Sequence, residues 1–488
     1  MEDKSAYRNI FKSLSLFGGT QVYQILIGVI KSKFIAVLLG PVGIGIQGLL
    51  TSSTDLVKQF SSMGLAQSGV RDIAEANGMN DEASVSRKVN VVRRLVWWTG
   101  LLGAAAVLCL SPILSRVAFG NNDYCVSFML LSVTLLFDQL SAGQLVVLQG
   151  MRRLKDLAKA SSLGATMGLI VSVPLYYWLR VNGIVPTLIL HSAATLLCFW
   201  LFARKIKVGQ SDLTPKEVWQ EGSTMLRMGI AMSVSSIVAA ACVYVVRWFI
   251  RQADGTEAVG LFSAGSLILT TCAGMIFNAI GTDYYPRLAE VQADNGKCRE
   301  LVNQQGEISA CILGPILTIC VFCMPVILKI LYSDDFLPAN DYIIWASAGM
   351  MFKLASWLIS FQFIAKGESA LFIKSEMIGA VYSLVFDLLG YYLAGLSGLG
   401  MSFTLGYLVY FLQVYFIARK RYSFSFSGSF IRIFIFFAIL VTSALVAVLL
   451  SAGIVRWTVA AIMALSAIMF SLVAFEKKMG LHQMLKNR

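Results

Sequence analysis

Residues 160–205 read ASSLGATMGLIVSVPLYYWLRVNGIVPTLILHSAATLLCFWLFARK, and residues 375–420 read SEMIGAVYSLVFDLLGYYLAGLSGLGMSFTLGYLVYFLQVYFIARK. Laid together without a gap, they match at Gly164-Ala165 with Gly379-Ala380, Tyr176-Tyr177 with Tyr391-Tyr392, Gly183 with Gly398, and Ala203-Arg204-Lys205 with Ala418-Arg419-Lys420. A single offset serves all of these pairs, and earlier segments echo it approximately. Gly43 and Gly48 fall opposite Gly260 and Gly265, Arg71 opposite Arg287, and Pro112 and Arg116 opposite Pro325 and Lys329. Duplicated membrane bundles in one chain point to a transporter, because two like halves can rock about a shared central site.

Both copies are apolar throughout. The chain is 57% hydrophobic and 14% charged, with a mean hydropathy of +0.72, whereas a soluble globule carries about 25% charged residues. It reads as an all-α polytopic membrane protein. Windows of about 20 apolar residues predict roughly fourteen transmembrane helices: two parallel-repeat six-helix bundles and two extra C-terminal helices. The expected organisation is a first bundle over 1–205, a cytoplasmic linker over 206–228, a second bundle over 229–420, and two helices with a cytoplasmic tail over 421–488. Pro215 is expected at a turn or helix start within the linker. An even number of helices in each bundle inserts both copies the same way up. With both termini cytoplasmic, about three quarters of the 40 lysines and arginines fall in cytoplasmic segments, as the positive-inside rule demands.

That bias accounts for the net charge of +13 and leaves no call for a nucleic-acid partner. The polar start MEDKSAYRNIFK runs into a full-length apolar stretch, so no cleavable signal peptide is expected. Most of the nine cysteines lie in apolar spans, and Cys320-x-x-Cys323 lacks the second pair a zinc site needs. No metal or cofactor is expected. No GxxxxGK[ST] loop occurs, and two histidines do not furnish a hydrolytic triad, so an enzyme is not the expectation.

Charges deep in spans are costly and mark candidate sites. Lys353, Asp138, Asp55 and Asp387 fall near span centres, Lys58 lies one turn from Asp55, and Lys31, Lys33 and Arg247 sit in the outer parts of the first span of each bundle. Lys31 and Arg247 occupy nearly equivalent repeat positions. With Lys58 and Lys353 they are the candidate cations of a central cavity suited to a phosphate. Asp55, Asp138 and Asp387 are candidates for ion coupling or structural ion pairs. Two such pairs remain open: Asp55 with Lys58, spaced i, i+3, and Asp138 with Lys353. Arg251 and Lys329 are expected to snorkel to the outer interface, and the same reading stays open for Lys33. His191 is expected to be a packed, hydrogen-bonded histidine.

Three stretches carry a family resemblance. KFIAVLLGPVGIG (33–45), DYYPRLAEVQADNG (283–296) and FKLASWLISFQFIAKGESALFIKSE (352–376) resemble the Wzx-type flippases for lipid-linked oligosaccharides, in the multidrug/oligosaccharidyl-lipid/polysaccharide exporter superfamily. The resemblance implies a flippase moving an undecaprenyl-diphosphate-linked repeat unit across the bacterial inner membrane, toward O-antigen or a related surface glycan. It implies a cationic cavity, with Lys33 and Lys353 on matching motif positions. A polysaccharide polymerase and a chain-length regulator are the protein partners it implies, besides membrane lipid. Family members often carry an acid three residues before the lysine that matches Lys353. Here that residue is Met350, so Lys353 lacks an acid on its own helix, and Asp138, Asp387 or a substrate phosphate is left to compensate. The alternatives are an exporter of organic cations, which calls for acids at the cavity centre, and a membrane glycan polymerase or ligase, which calls for a catalytic outer loop.

Overall fold

The computed structural model describes residues 2–78, 82–206, 209, 213–279, 284–451 and 453–479. The tail expected beyond 479 lies outside the described residues. Those described are helical almost throughout, with no strand among them. In chain order the helices are α1 (Glu2–Ser61), α2 (Leu65–Gly78), α3 (Glu82–Phe119), α4 (Cys125–Gly150), α5 (Leu154–Leu179), α6 (Ile184–Ala203), α7 (Pro215–Ala279), α8 (Tyr285–Glu290), α9 (Asn295–Leu331), α10 (Ala339–Ala365), α11 (Ser369–Tyr422), α12 (Gly428–Leu450) and α13 (Gly453–Met479).

Among the described residues, ten helical stretches are long and apolar enough to cross a membrane. Six are far longer than one crossing requires, among them Tyr23–Ser61, Lys155–Ala203, Ser233–Thr271 and Ser369–Tyr422. Each of these four takes in two of the spans read from the sequence, and each is broken inside. In α1 the break is Gly40 (φ 65°, ψ −174°), followed by Pro41, which has no N–H to continue the ladder. In α7 it is Gly255 (φ 80°, ψ −170°). Arg180 (φ 51°, ψ −129°) ends α5 in a short 3₁₀ turn before α6, and Ala394-Gly395 (φ 55°, ψ −135° at the glycine) breaks α11.

These breaks repeat at the spacing of the sequence. Gly40 and Gly255 stand at the offset that relates Gly164 to Gly379, and they share nearly the same φ and ψ. Arg180 and Gly395 do likewise, and so do Arg152 (φ 53°) and Gly367 (φ 75°), which follow α4 and α10. The duplication therefore extends to backbone conformation, including two positions where arginine stands in one copy and glycine in the other.

By contacts the chain divides into two compact units, 1–260 and 261–488. The division falls inside α7, just past its break. In the first unit, Leu65, Ile73, Val89, Val92, Val147, Phe199, Val218 and Met225 share one core from α2, α3, α4, α6 and the start of α7. Helix α2 is too short to span a membrane. It buries Leu65, Ile73 and Ala76 and exposes Gln67, Arg71 and Glu75 every fourth residue. Gly209, Leu213 and Glu221 are held along α3: Ser86 and Asn90 bond the backbone of Gly209, Arg94 donates to the carbonyl of Leu213, and Arg87 pairs with Glu221. Pro215 opens α7 behind a capping box, in which Glu217 accepts from the Thr214 backbone N–H at 2.7 Å. Two backbone and hydroxyl donors on Thr214 hold the Glu217 carboxyl below its usual range.

In the second unit, α9, α10, α12 and α13 share a core around Val321, Phe322, Ile344, Ala444 and Val448. Helix α12 closes tightly on α9 because Gly306 and Gly314 leave room for the rings of Phe430 and Phe437.

Candidate functional site

In each unit, intramembrane charges converge on one cluster. In the first unit the centre is Asp138 on α4. Its Oδ2 accepts from Lys58 Nζ of α1 at 2.8 Å, and its Oδ1 accepts from Ser192 Oγ of α6 at 2.7 Å. Both charged side chains are about one-third exposed, at 33% and 34%. Lys58 thus bonds an acid from another helix in preference to Asp55 on its own. Asp55 is exposed and lies within electrostatic reach of Lys58, Asp138 and Arg247. Arg247, on α7, donates Nη1 to the carbonyl of Gly48 at 2.9 Å. Its Nε is buried without a hydrogen-bond partner among the described residues.

Lys31 and Asp138 both lie within electrostatic reach of His191. The His191 ring packs on the α5 backbone at Gly168, where a Cβ would overlap it, and its Nδ1 finds no hydrogen-bond partner among the described residues. The histidine is packed, as expected, but that nitrogen is unbonded. Lys31 forms no ion pair among the described residues, and Lys33 is half-buried two residues on. The first unit therefore gathers Lys31, Lys58 and Arg247 with two acids, Asp55 and Asp138.

In the second unit the centre is Lys353 on α10. It forms no ion pair among the described residues and lies instead over three rings: Tyr407 at 5.1 Å, Phe277 at 5.5 Å and Phe403 at 5.9 Å. Such contacts stabilise a partly desolvated ammonium by about 0.5–2 kcal/mol each, which makes a lysine at this depth tolerable. Met350, where the family pattern places an acid, is fully buried. An acid comes instead from α11: Glu376, within electrostatic reach of Lys353, accepts from the Tyr410 hydroxyl, and Ser360 Oγ lies 3.0 Å from that hydroxyl. Asp387, further along α11, lies within electrostatic reach of Tyr342.

Of the remaining sequence candidates, Arg251 donates to the carbonyl of Phe119, and Lys329 pairs with the exposed Asp334 at 2.8 Å. No group of metal-ligating side chains occurs among the described residues. The cysteines described form no disulfide among the described residues.

The family described as polysaccharide biosynthesis protein matches residues 34–341, more than half of the chain. The chain belongs to that family. The chain is similar to a Shigella flexneri protein named for O-antigen transport, with 23% identity over 318 residues, 64% of this chain and 74% of the other. Its fold is that of the MOP superfamily. It superposes on the lipid II flippase MurJ in an inward closed conformation with a TM-score of 0.71 and 14% identity, covering 96% of this chain and 99% of that one. An inward-facing multidrug resistance MATE family transporter gives a TM-score of 0.70 and 15% identity over 82% and 94% of the two chains. A MOP superfamily transporter from Pyrococcus furiosus, described as having a binding pocket of reversed polarity, gives 0.60 and 15% over 84% and 96%.

Sequence reasoning about this family member missed Glu376 and the rings around Lys353. Glu376 lies at the start of a predicted span, where an acid reads as solvated. Phe403 and Tyr407 carry one usable signal, their i, i+4 spacing on α11, which places both on one helix face.

Proposed function

We propose that the chain is a flippase that carries undecaprenyl-diphosphate-linked oligosaccharide repeat units from the cytoplasmic to the periplasmic leaflet of a bacterial inner membrane, for O-antigen or a related surface glycan. The observation that carries this reading is the state of the intramembrane cations. Arg247 keeps an unused buried N–H, and Lys31 and Lys353 form no ion pair among the described residues. Cations with spare donors inside a bilayer suit a ligand that brings its own negative charge, such as a diphosphate. Family membership and the named O-antigen relative support the glycan part of the substrate.

In this mechanism the two repeats, 1–205 and 229–420, rock against each other, and each of the four broken helices acts as two crossings, giving fourteen in all. Both termini are cytoplasmic. Lys31, Lys33, Lys58, Arg247 and Lys353 take up the diphosphate in turn, while the isoprenoid tail stays in lipid. Asp55, Asp138 and Asp387 are the candidates for ion coupling, and a polymerase and a chain-length regulator are the candidate protein partners.

The test is complementation in cells lacking a lipid-linked oligosaccharide flippase, comparing wild type with Lys353→Ala and Arg247→Ala at equal membrane abundance. Rescue by wild type and by neither variant is the expected result. Rescue by all three would remove these cations from the mechanism, and absence of rescue by wild type in its own source strain deleted for the gene would overturn the flippase reading.

A further inference from the structure

We propose that Trp357 and Phe361, with Tyr285 beyond them, form a track on which pyranose rings of the transported glycan stack, beginning at Lys353 and running along α10 toward α8. The inference deepens the flippase reading and rests on it. The observation behind it is the exposure pattern of α10. Between residues 353 and 363, Leu354, Ala355, Ser356, Leu358, Ile359, Ser360, Gln362 and Phe363 are all buried. The half-exposed residues are Lys353, Trp357 and Phe361, four apart each time. Spacing of four puts them on one helix face, a stripe about 12 Å long at 1.5 Å per residue.

The stripe starts with a lysine near the middle of a 27-residue apolar helix. The rings of Tyr407, Phe277 and Phe403 compensate its charge in part, and an ammonium turned fully to hydrocarbon would remain costly. In this proposal the stripe borders a polar space, and two large aromatic side chains open onto it where the rest of this helix stretch is sealed.

The rings are held in place. Trp357 packs edge-to-face on Phe277 (centroids 4.9 Å, 71°) and on Phe361 (5.5 Å, 87°), and Phe361 lies 5.9 Å from Tyr285. The far end is anchored by Tyr284, fully buried, whose hydroxyl donates to the Leu358 carbonyl at 2.8 Å. In an edge-to-face pair one ring turns its positive edge to the negative face of the other, so each ring keeps at least one face clear of that partner. The C–H face of a pyranose carries the complementary slight positive charge. A cation at one end and a ladder of ring faces beyond it match a ligand with phosphate at one end and sugars beyond. The same ladder has no hydrogen-bonding array to read one hydroxyl pattern, so it fits sugars as a class.

The experiment uses the purified full chain in nanodiscs and two probes: lipid-linked repeat units extracted from the source strain, and undecaprenyl diphosphate without sugar. Trp357→Leu and Phe361→Leu keep apolar bulk and remove the ring, and Trp357→Phe keeps a ring. The leucine variants are expected to weaken binding of the glycan-bearing lipid about tenfold and leave the sugarless lipid within about twofold. Trp357→Phe is expected to retain most of the glycan affinity, and Lys353→Ala to weaken both probes. Equal loss on both probes, or no loss on either, overturns the track while leaving the flippase reading standing. Failure of wild type to bind either probe overturns both. A leucine variant that does not fold hands the decision to Trp357→Phe, whose glycan affinity must then exceed that of Trp357→His, which keeps a ring but replaces the apolar face.

Discussion

Gly45 and Gly260 stand in reciprocal positions at the repeat offset: a Cβ on Gly45 would drive into the Thr256 carbonyl, and a Cβ on Gly260 into the Pro41 carbonyl. Pro41 and Thr256 are related by that same offset, so each repeat contributes one glycine and one carbonyl to a local two-fold contact. Both partners are backbone and cannot swing aside. Gly45→Ala and Gly260→Ala are each expected to separate these segments and to cost about 1–3 kcal/mol, as overpacking does. A drop in thermal melting temperature for each, with the double variant costing less than the sum because one contact is lost once, checks this. Melting unchanged by either alanine would mean the segments do not approach so closely.

Arg152 and Arg180 hold left-handed backbone conformations whose repeat mates, Gly367 and Gly395, are glycines. A residue with a Cβ pays roughly 1–2 kcal/mol there, and glycine does not. Arg152→Gly is expected to raise stability by about 1 kcal/mol, with unfolded-state entropy offsetting the remainder. Arg180→Gly is expected to gain less, because Arg180 also donates Nη1 to the Leu38 carbonyl at 3.2 Å. Thermal melting of the two variants side by side tests both the sign and the order.

The fold was largely legible because a membrane imposes few solutions. Apolar runs of spanning length must be helical, and Gly-Ala, Tyr-Tyr and Ala-Arg-Lys at one offset expose the duplication. Gly40-Pro41 even marks a break. The break at Arg180 gives no such sign, since arginine is a poor indicator of positive φ, and only the comparison with Gly395 makes it intelligible. The site was less legible. Local spacing offers Asp55 as the partner of Lys58, but the bonded acid is Asp138, 80 residues away. Likewise the acid sought three residues before Lys353 arrives from Glu376 on a different helix. Which helices meet, and at which turn, is a tertiary fact that one sequence does not state.

Asp294 caps α9, accepting from Gly296 N–H at 2.8 Å and Lys297 N–H at 3.1 Å. These two backbone donors, with Lys297 and Lys366 nearby, hold its carboxyl below the ordinary aspartate range. A depressed folded pKa stabilises fully above the unfolded aspartate value near 3.9, and the contribution is lost as pH falls through the lower folded value. The melting temperature of Asp294→Ala should therefore lie below wild type at neutral pH, with the gap closing under acid conditions. A gap that widens toward low pH would contradict the cap.

Lys58 and Asp138 form a half-buried ion pair inside the spans, and removing one partner strands the other. A fully buried pair broken this way loses about 3–5 kcal/mol. One-third exposure of each side chain discounts that to about 1–3 kcal/mol. Lys58→Met alone leaves Asp138 with Ser192 as its remaining bonded partner, and Asp138→Leu alone leaves Lys58 beside Asp55, which keeps some compensation. The lysine variant should accordingly be the more damaging of the two. The double variant should recover much of the loss, giving a coupling energy of at least about 1 kcal/mol in a double-mutant cycle on thermal or denaturant stability. Additive losses would show that the two charges are held by their surroundings and not by each other, and the transport assay on the stable double variant would then tell whether either charge is needed for flipping.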